Sequence, residues 1–262
     1  MPGTRAGGVV GVCLLAVALA TGCTVDGTAR PAPNLKPHPV TGQPVKQVLL
    51  DDAELSKLLG QSFGSKNELP ARFGGPEVLP PAFGAVSPAN CIGVTSMMVM
   101  DAYRSADVKN AARETWWNQR GPAKVISVAE GVVALSSAGG AAALFQQFAQ
   151  QWRDCEGTTV TIGRPSIITD RPAIVFSNTI SEVRVSESVL AATVAIDTQL
   201  PGIPSSGPRP EARAIGVRGN CLVEVEVAFF NSTRSSDEGS GDVHRSAIDI
   251  AHAMMDKVSG LS

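Results

Sequence analysis

Cys221-Leu222-Val223-Glu224-Val225-Glu226-Val227-Ala228-Phe229 repeats with a period of two. Only an extended chain sends successive side chains to opposite faces, so this run predicts a strand over 221–230. Cys221, Val223, Val225, Val227 and Phe229 form its core face; Leu222, Glu224, Glu226 and Ala228 form the other, read as wet. The turn Arg218-Gly219-Asn220 opens this strand. Working outward, strands are expected at 111–117, 124–135, 174–185, 188–198 and 211–217. The third and fourth of these make a hairpin around Ser186-Glu187-Ser188.

The clearest helix is predicted over 138–154, with Ser136 or Ser137 as its N-cap. Leu144, Phe148 and Trp152 recur every four residues and give it a core stripe, with Phe145 beside them. A shorter helix starts at Asp51 or Asp52, carries Leu55, Leu58 and Leu59, and stops at Gly60. A last helix is expected to be capped by Ser246 with Asp249 three residues on, facing Ile248, Ala251, Met255 and Val258 to a core. Between them lies a long Gly/Pro-rich loop from Gly64 to about Asn90, then a short helical or irregular segment from Met97 to Tyr103. Helices and strands do not alternate strictly, so the chain reads as one α+β domain on an antiparallel sheet.

The N-terminal end is of another kind. Residues 1–22 carry Arg5 and an apolar run from Val9 to Ala20, about half the length a membrane-spanning helix needs. The run closes on Gly22-Cys23, where a lipoprotein signal is cut and the thiol takes a diacylglycerol. The expected anchor is therefore a lipid on Cys23, and two acyl chains hold where one does not. Residues 23–47 hold five prolines and few large apolar groups, the composition of a semi-rigid tether. The folded domain is expected over 48–262.

Without residues 1–22 the 22 basic and 24 acidic groups become 21 and 24, a formal charge of −3. Nucleic-acid binding calls for a basic surface, so no such partner is expected. Cys91, Cys155 and Cys221 remain beside the lipidated cysteine, in a compartment where disulfides persist. Three thiols allow one bridge and one leftover, and spacings of 64 and 66 residues fit no metal site. His38 lies among the tether prolines, and His252 sits beside the core face of the last helix. His244 stands near Asp237, Glu238 and Asp242, a loop read as solvated charge because it lacks the EF-hand pattern. Glu224 and Glu226 share a strand face as paired catalytic carboxylates would, but a wet sheet face explains them. No Gly-x-Ser-x-Gly, His-Glu-x-x-His or phosphate loop occurs. No catalytic residue, cofactor or metal ligand is assigned, and no ligand-binding residue is identified.

Several segments together carry a resemblance. They are Asn90-Cys91-Ile92-Gly93-Val94, Ala102-Tyr103-Arg104-Ser105, Glu130 to Leu135, the helix Ala143 to Cys155 with its Gln-Gln-Trp-Arg-Asp-Cys ending, Ala212-Arg213-Ala214-Ile215 and Ala247 to Val258. Over roughly residues 48–260 the chain resembles the PknH-like extracellular sensor domain, which occurs outside some receptor kinases and alone in envelope lipoproteins. The resemblance implies a twisted antiparallel sheet with helices around a cleft. It also implies a disulfide between Cys91 and Cys155, and leaves Cys221 as a buried free thiol. The family's second bridge, between two late strands, is expected to be lost, with Glu211 and Ala228 near its positions. The function implied is a lipid-anchored module that binds or senses an unidentified envelope ligand. A non-catalytic interaction or scaffold subunit is the alternative, and an envelope enzyme comes third.

Overall fold

The computed structural model describes residues 38–66, 69–164 and 174–262. Cys23 and the signal segment lie outside the described residues. Among the described residues ten strands form one antiparallel sheet: β1 (Phe63–Ser65), β2 (Arg72–Gly74), β3 (Ala85–Ser87), β4 (Val108–Asn118), β5 (Val125–Leu135), β6 (Thr159–Arg164), β7 (Ile174–Val185), β8 (Val189–Gln199), β9 (Arg209–Arg218) and β10 (Cys221–Phe229). Their order is β1-β4-β5-β10-β9-β8-β7-β6-β3, with β2 pairing with β4 beside β1. The helices are α1 (Asp52–Leu59), α2 (Ile92–Thr95), α3 (Ala138–Asp154) and α4 (Ser246–Leu261).

The strand that sets the fold, β10, lies in the middle of the sheet between β5 and β9. Its Cys221, Val223, Val225, Val227 and Phe229 are buried in a core with α4's Ile250, Met254 and Met255. The other face is not wet. Leu222 packs in a second core with α3's Leu144, Phe145, Phe148 and Trp152, and Glu224 is only 2% exposed. Alternation reports the polarity of each residue, not what lies over it. A central strand in a sheet covered on both sides is buried on both faces, and the charge of Glu224 is met by a partner on β9.

α3 spans the expected residues, and Ser137 caps it by accepting from the Gly140 N–H at 3.1 Å. α1 begins with Asp51 and Glu54 as a reciprocal capping box and ends on Gly60 in the left-handed conformation, φ +64°. α4 departs from expectation. Ser246 is its first residue rather than its cap, and its hydroxyl is spent on Asp242, donating to the carbonyl and accepting from the N–H. Ala247, Ile250, Ala251, Met254, Met255 and Val258 are buried, while Ile248 is half-exposed. Within the long Gly/Pro loop, β1 to β3 were not foreseen; three residues each are too few to show a period. β6 was missed as well.

The expected tether reaches into the domain at its C-terminal end. Val40, Val45 and Val48 are at most 1% exposed. Val40 pairs with Asn220 in both directions, at 2.8 and 3.0 Å, and Gly42 N–H donates to Asn110 Oδ1 at 2.7 Å. Residues 43–48 form a 3₁₀ turn against the α4 side of the sheet. The prolines around these valines made the segment look like a spacer, yet the valines are core. Lys257 of α4 then holds the strap by donating to Leu49 O at 2.8 Å and Glu54 Oε2 at 2.6 Å. Among the described residues no helix is long and apolar enough to cross a membrane.

Candidate functional site

The outer side of β4 is covered by two separate short strands. β2 pairs with its Ala111–Arg113 end and β1 with Trp116–Asn118. Among the described residues, no strand pairs with Glu114 and Thr115 on that side. Two shallow hollows of about 300 Å³ each open here, one lined by Leu69, Pro70, Arg72, Arg113 and Thr115, the other by Lys46, Leu49, Phe73 and Trp116. Both hollows also touch Arg72 and Glu114.

The pleat sorts their charges. Arg72 and Arg113 are direct cross-strand partners, so they project from one side of the ladder. Burial of Arg113, and then the charge of Arg72 beside it, pull the Arg113 guanidinium below its ordinary range. Ala112, Glu114 and Trp116 project from the other side, over Glu130, which is the β5 partner of Glu114. Glu130 is fully buried; its carboxylate accepts from Leu50 N–H at 3.0 and 3.1 Å and from Trp116 Nε1 at 3.0 Å. Burial nonetheless pushes its pKa up to about 8, outweighing those donors, and Glu114 nearby adds to the rise. Glu114 itself is raised by partial burial.

A second polar cluster lies on the α3 side of the sheet. Arg213 of β9 is completely buried. It donates to Glu224 Oε2, Val94 O and Val225 O at 3.0 Å and to Gly93 O at 3.4 Å. Glu224 also accepts from the Tyr103 hydroxyl and from Met98 N–H, the latter at 3.0 Å. Glu211 and Glu226 sit beside Arg213, and Glu211 Oε1 is buried with no hydrogen-bond partner among the described residues. Burial raises both, and their mutual proximity raises Glu211 further. Arg213, Glu224 and Tyr103 fix segment 91–103 onto the sheet and are closed to solvent, so they hold structure rather than ligand. Met98 takes a left-handed φ of +54° there, and a Cβ on Gly131 would come within 1.9 Å of its sulfur. Sequence reasoning missed Arg213, although a lone arginine inside Ala212-Arg213-Ala214-Ile215 was a readable sign of a buried counter-charge.

Cys91 and Cys155 are disulfide-bonded, with Cα atoms 5.7 Å apart. Cys221 is buried and free, and burial pushes its thiol up to about 12. Glu211 and Ala228 face each other directly across β9 and β10, where the resemblance puts the lost bridge. His244 leaves the acidic loop for Glu182, with Nδ1 2.8 Å from Oε2 at the surface. His38 and His252 are exposed. Among the described residues no group of three or more His, Cys, Asp or Glu is placed to hold a metal ion.

Three comparisons bear on this arrangement. The sequence pattern of the PknH-like extracellular domain matches residues 40–257. The extracellular domain of PknH from Mycobacterium tuberculosis superposes with a TM-score of 0.66 at 19% identity, covering 86% of this chain and 99% of that one. An uncharacterised protein of Mycobacterium smegmatis aligns at 12% identity and a TM-score of 0.36, covering 83% of this chain and 96% of that one. Among curated proteins, none matches the chain.

Proposed function

Because the chain belongs to the PknH-like extracellular domain family, we propose that it works as a ligand-binding or sensing module held at the outer face of the membrane by a lipid on Cys23. The observation that supports ligand binding is the β4 edge: two adjoining hollows lined by Lys46, Arg72 and Arg113 and by Asp51 and Glu114, with no ion pair among these five. The anchor rests on the short apolar run ending at Gly22-Cys23 and on the extracellular character of the family. Residues 24–37 then space the domain from the bilayer.

Native mass spectrometry of the full chain, extracted from its own envelope in mild detergent, tests both parts. The expected spectrum shows the acyl increment on Cys23 together with a further retained molecule, and Cys23→Ala loses only the increment. A wild-type spectrum with the increment and no retained mass would overturn ligand binding in favour of an interaction or scaffold subunit. An increment that survives Cys23→Ala would overturn the anchor.

A further inference from the structure

Among the described residues, several buried charges have partners inside the domain. Arg213 has Glu224, Lys257 has Glu54, and Glu130 has two N–H donors. Arg72 and Arg113 stand directly opposite each other on neighbouring strands, and among the described residues neither forms an ion pair. Like charges placed opposite one another across a ladder destabilise it, and Arg113 is also half-buried. Glu114, the nearest acid in sequence, is the cross-strand partner of Glu130; it also lines the Leu69–Pro70 hollow but forms no ion pair with either arginine.

The geometry points to an anion-binding subsite in the Leu69–Pro70 hollow, with Arg72 and Arg113 as its two guanidinium arms and a phosphoryl group as its ligand. Three features of the site favour phosphoryl. Partners in an antiparallel pair lie about 5 Å apart at Cα, so two planar forks converge on one tetrahedral group. Guanidinium is the less strongly hydrated cation and suits a half-buried phosphate. The Thr115 hydroxyl lines the same hollow, and at the uncovered position of β4 one of Glu114 and Thr115 turns its N–H outward. Bound phosphoryl would supply the counter-charge that the fold omits. This deepens the ligand-binding reading above by naming the chemistry recognised at the β4 edge.

The same chemistry is offered by a phospholipid headgroup and by a soluble phosphorylated compound. The test is isothermal titration calorimetry on the full lipid-bearing chain in non-ionic detergent, at fixed ionic strength. One arm uses inorganic pyrophosphate; the other uses short-chain phosphatidylglycerol against the same chain length of phosphatidylcholine. Saturable binding of pyrophosphate is expected, weakened about ten-fold or more by Arg72→Gln or by Arg113→Gln and unchanged by Arg153→Gln on the exposed face of α3. Phosphatidylglycerol that binds more tightly than pyrophosphate identifies a headgroup site; equal or weaker binding identifies a soluble ligand. Both results support the subsite. Melting in the absence of ligand separates binding from structure. Relief of repulsion predicts that Arg72→Gln and Arg113→Gln melt no lower than wild type, whereas lost stability in both would show them to be structural and overturn the proposal. Pyrophosphate binding that neither substitution changes would also overturn it. Failure of the broader reading would look different. In native mass spectrometry it leaves no retained molecule, while retention that survives both substitutions keeps that reading and sinks only the arginine subsite.

Discussion

Glu224 has three donors, and the two from side chains can be removed one at a time. Tyr103→Phe deletes the hydroxyl but leaves Met98 N–H and Arg213 in place; a cost of about 1–3 kcal/mol in urea unfolding is expected. Arg213→Met takes away the cation and leaves the buried Glu224 without its partner, so about 3–5 kcal/mol is expected. A loss below 1 kcal/mol for Arg213→Met would show that the cluster is not charged. Cys221 gives a chemical readout. Its thiol is raised to about 12, so iodoacetamide at pH 8 should modify it only after unfolding. At this scale the sequence was half legible. Cys221 could be placed on an apolar face from its strand phase alone. Glu224 was misread because its counter-charge sits on another strand, out of reach of any local pattern.

The elements with the clearest period were the ones read correctly. α3 shows a stripe of large residues and a capping serine, so its limits were visible. Ser137→Ala should cost about 1 kcal/mol in thermal or urea unfolding through loss of the cap. Its far end is tied by Cys155 to Cys91, 64 residues away. The chain-entropy account gives about 4 kcal/mol for a loop of that length, so the Cys91→Ala/Cys155→Ala protein should be less stable by up to that amount. A double variant as stable as wild type would mean that Arg213, Glu224 and Tyr103 hold segment 91–103 unaided. α4 was placed correctly and Ala251, Met255 and Val258 are buried as expected, but Ser246, which looks like a cap in sequence, is used against Asp242 in space. β1 and β2 had no signal of their own. They exist because the long β4 offers an edge to pair with, and the gap between them, the candidate site, was therefore invisible in the sequence.

For the whole molecule, pH is the informative variable. Glu130, Glu211 and Glu226 are all raised by burial. A raised carboxyl keeps its proton in the folded state after the unfolded chain has released it. Its stabilising effect is complete below the unfolded value near 4.5 and is lost as pH climbs to the folded value, about 8 for Glu130. Stability should therefore decline from mildly acid pH toward pH 8. Glu130→Gln should remove up to one proton's share of that slope, about 1.4 kcal/mol per pH unit. An unchanged slope in urea melts across this range would show that Glu130 is ionised throughout. The domain's true beginning can be tested in the same way. Starting the chain at residue 37 should leave stability intact. Starting it at residue 49 removes three buried valines, worth about 4 kcal/mol or more, and should prevent folding. The fold class was legible because strand periods survive burial. The start of the domain was not, since prolines dominate the composition where single valines decide the packing.

The clasp between Val40 and Asn220 fixes where tension enters the protein. A pull from the N-terminal side reaches the fold at two hydrogen bonds, made by one side chain in the turn between β9 and β10. Those bonds load before any ladder does. Behind them lie Gly42 on Asn110, then Lys257 on Leu49 and Leu50 on Glu130, so the strap would part from the sheet bond by bond, like a zip, while the ten described strands stay closed. Stretched in an optical trap from residue 37, the domain should lengthen first by a short step of strap release, well before the cooperative rupture of the sheet.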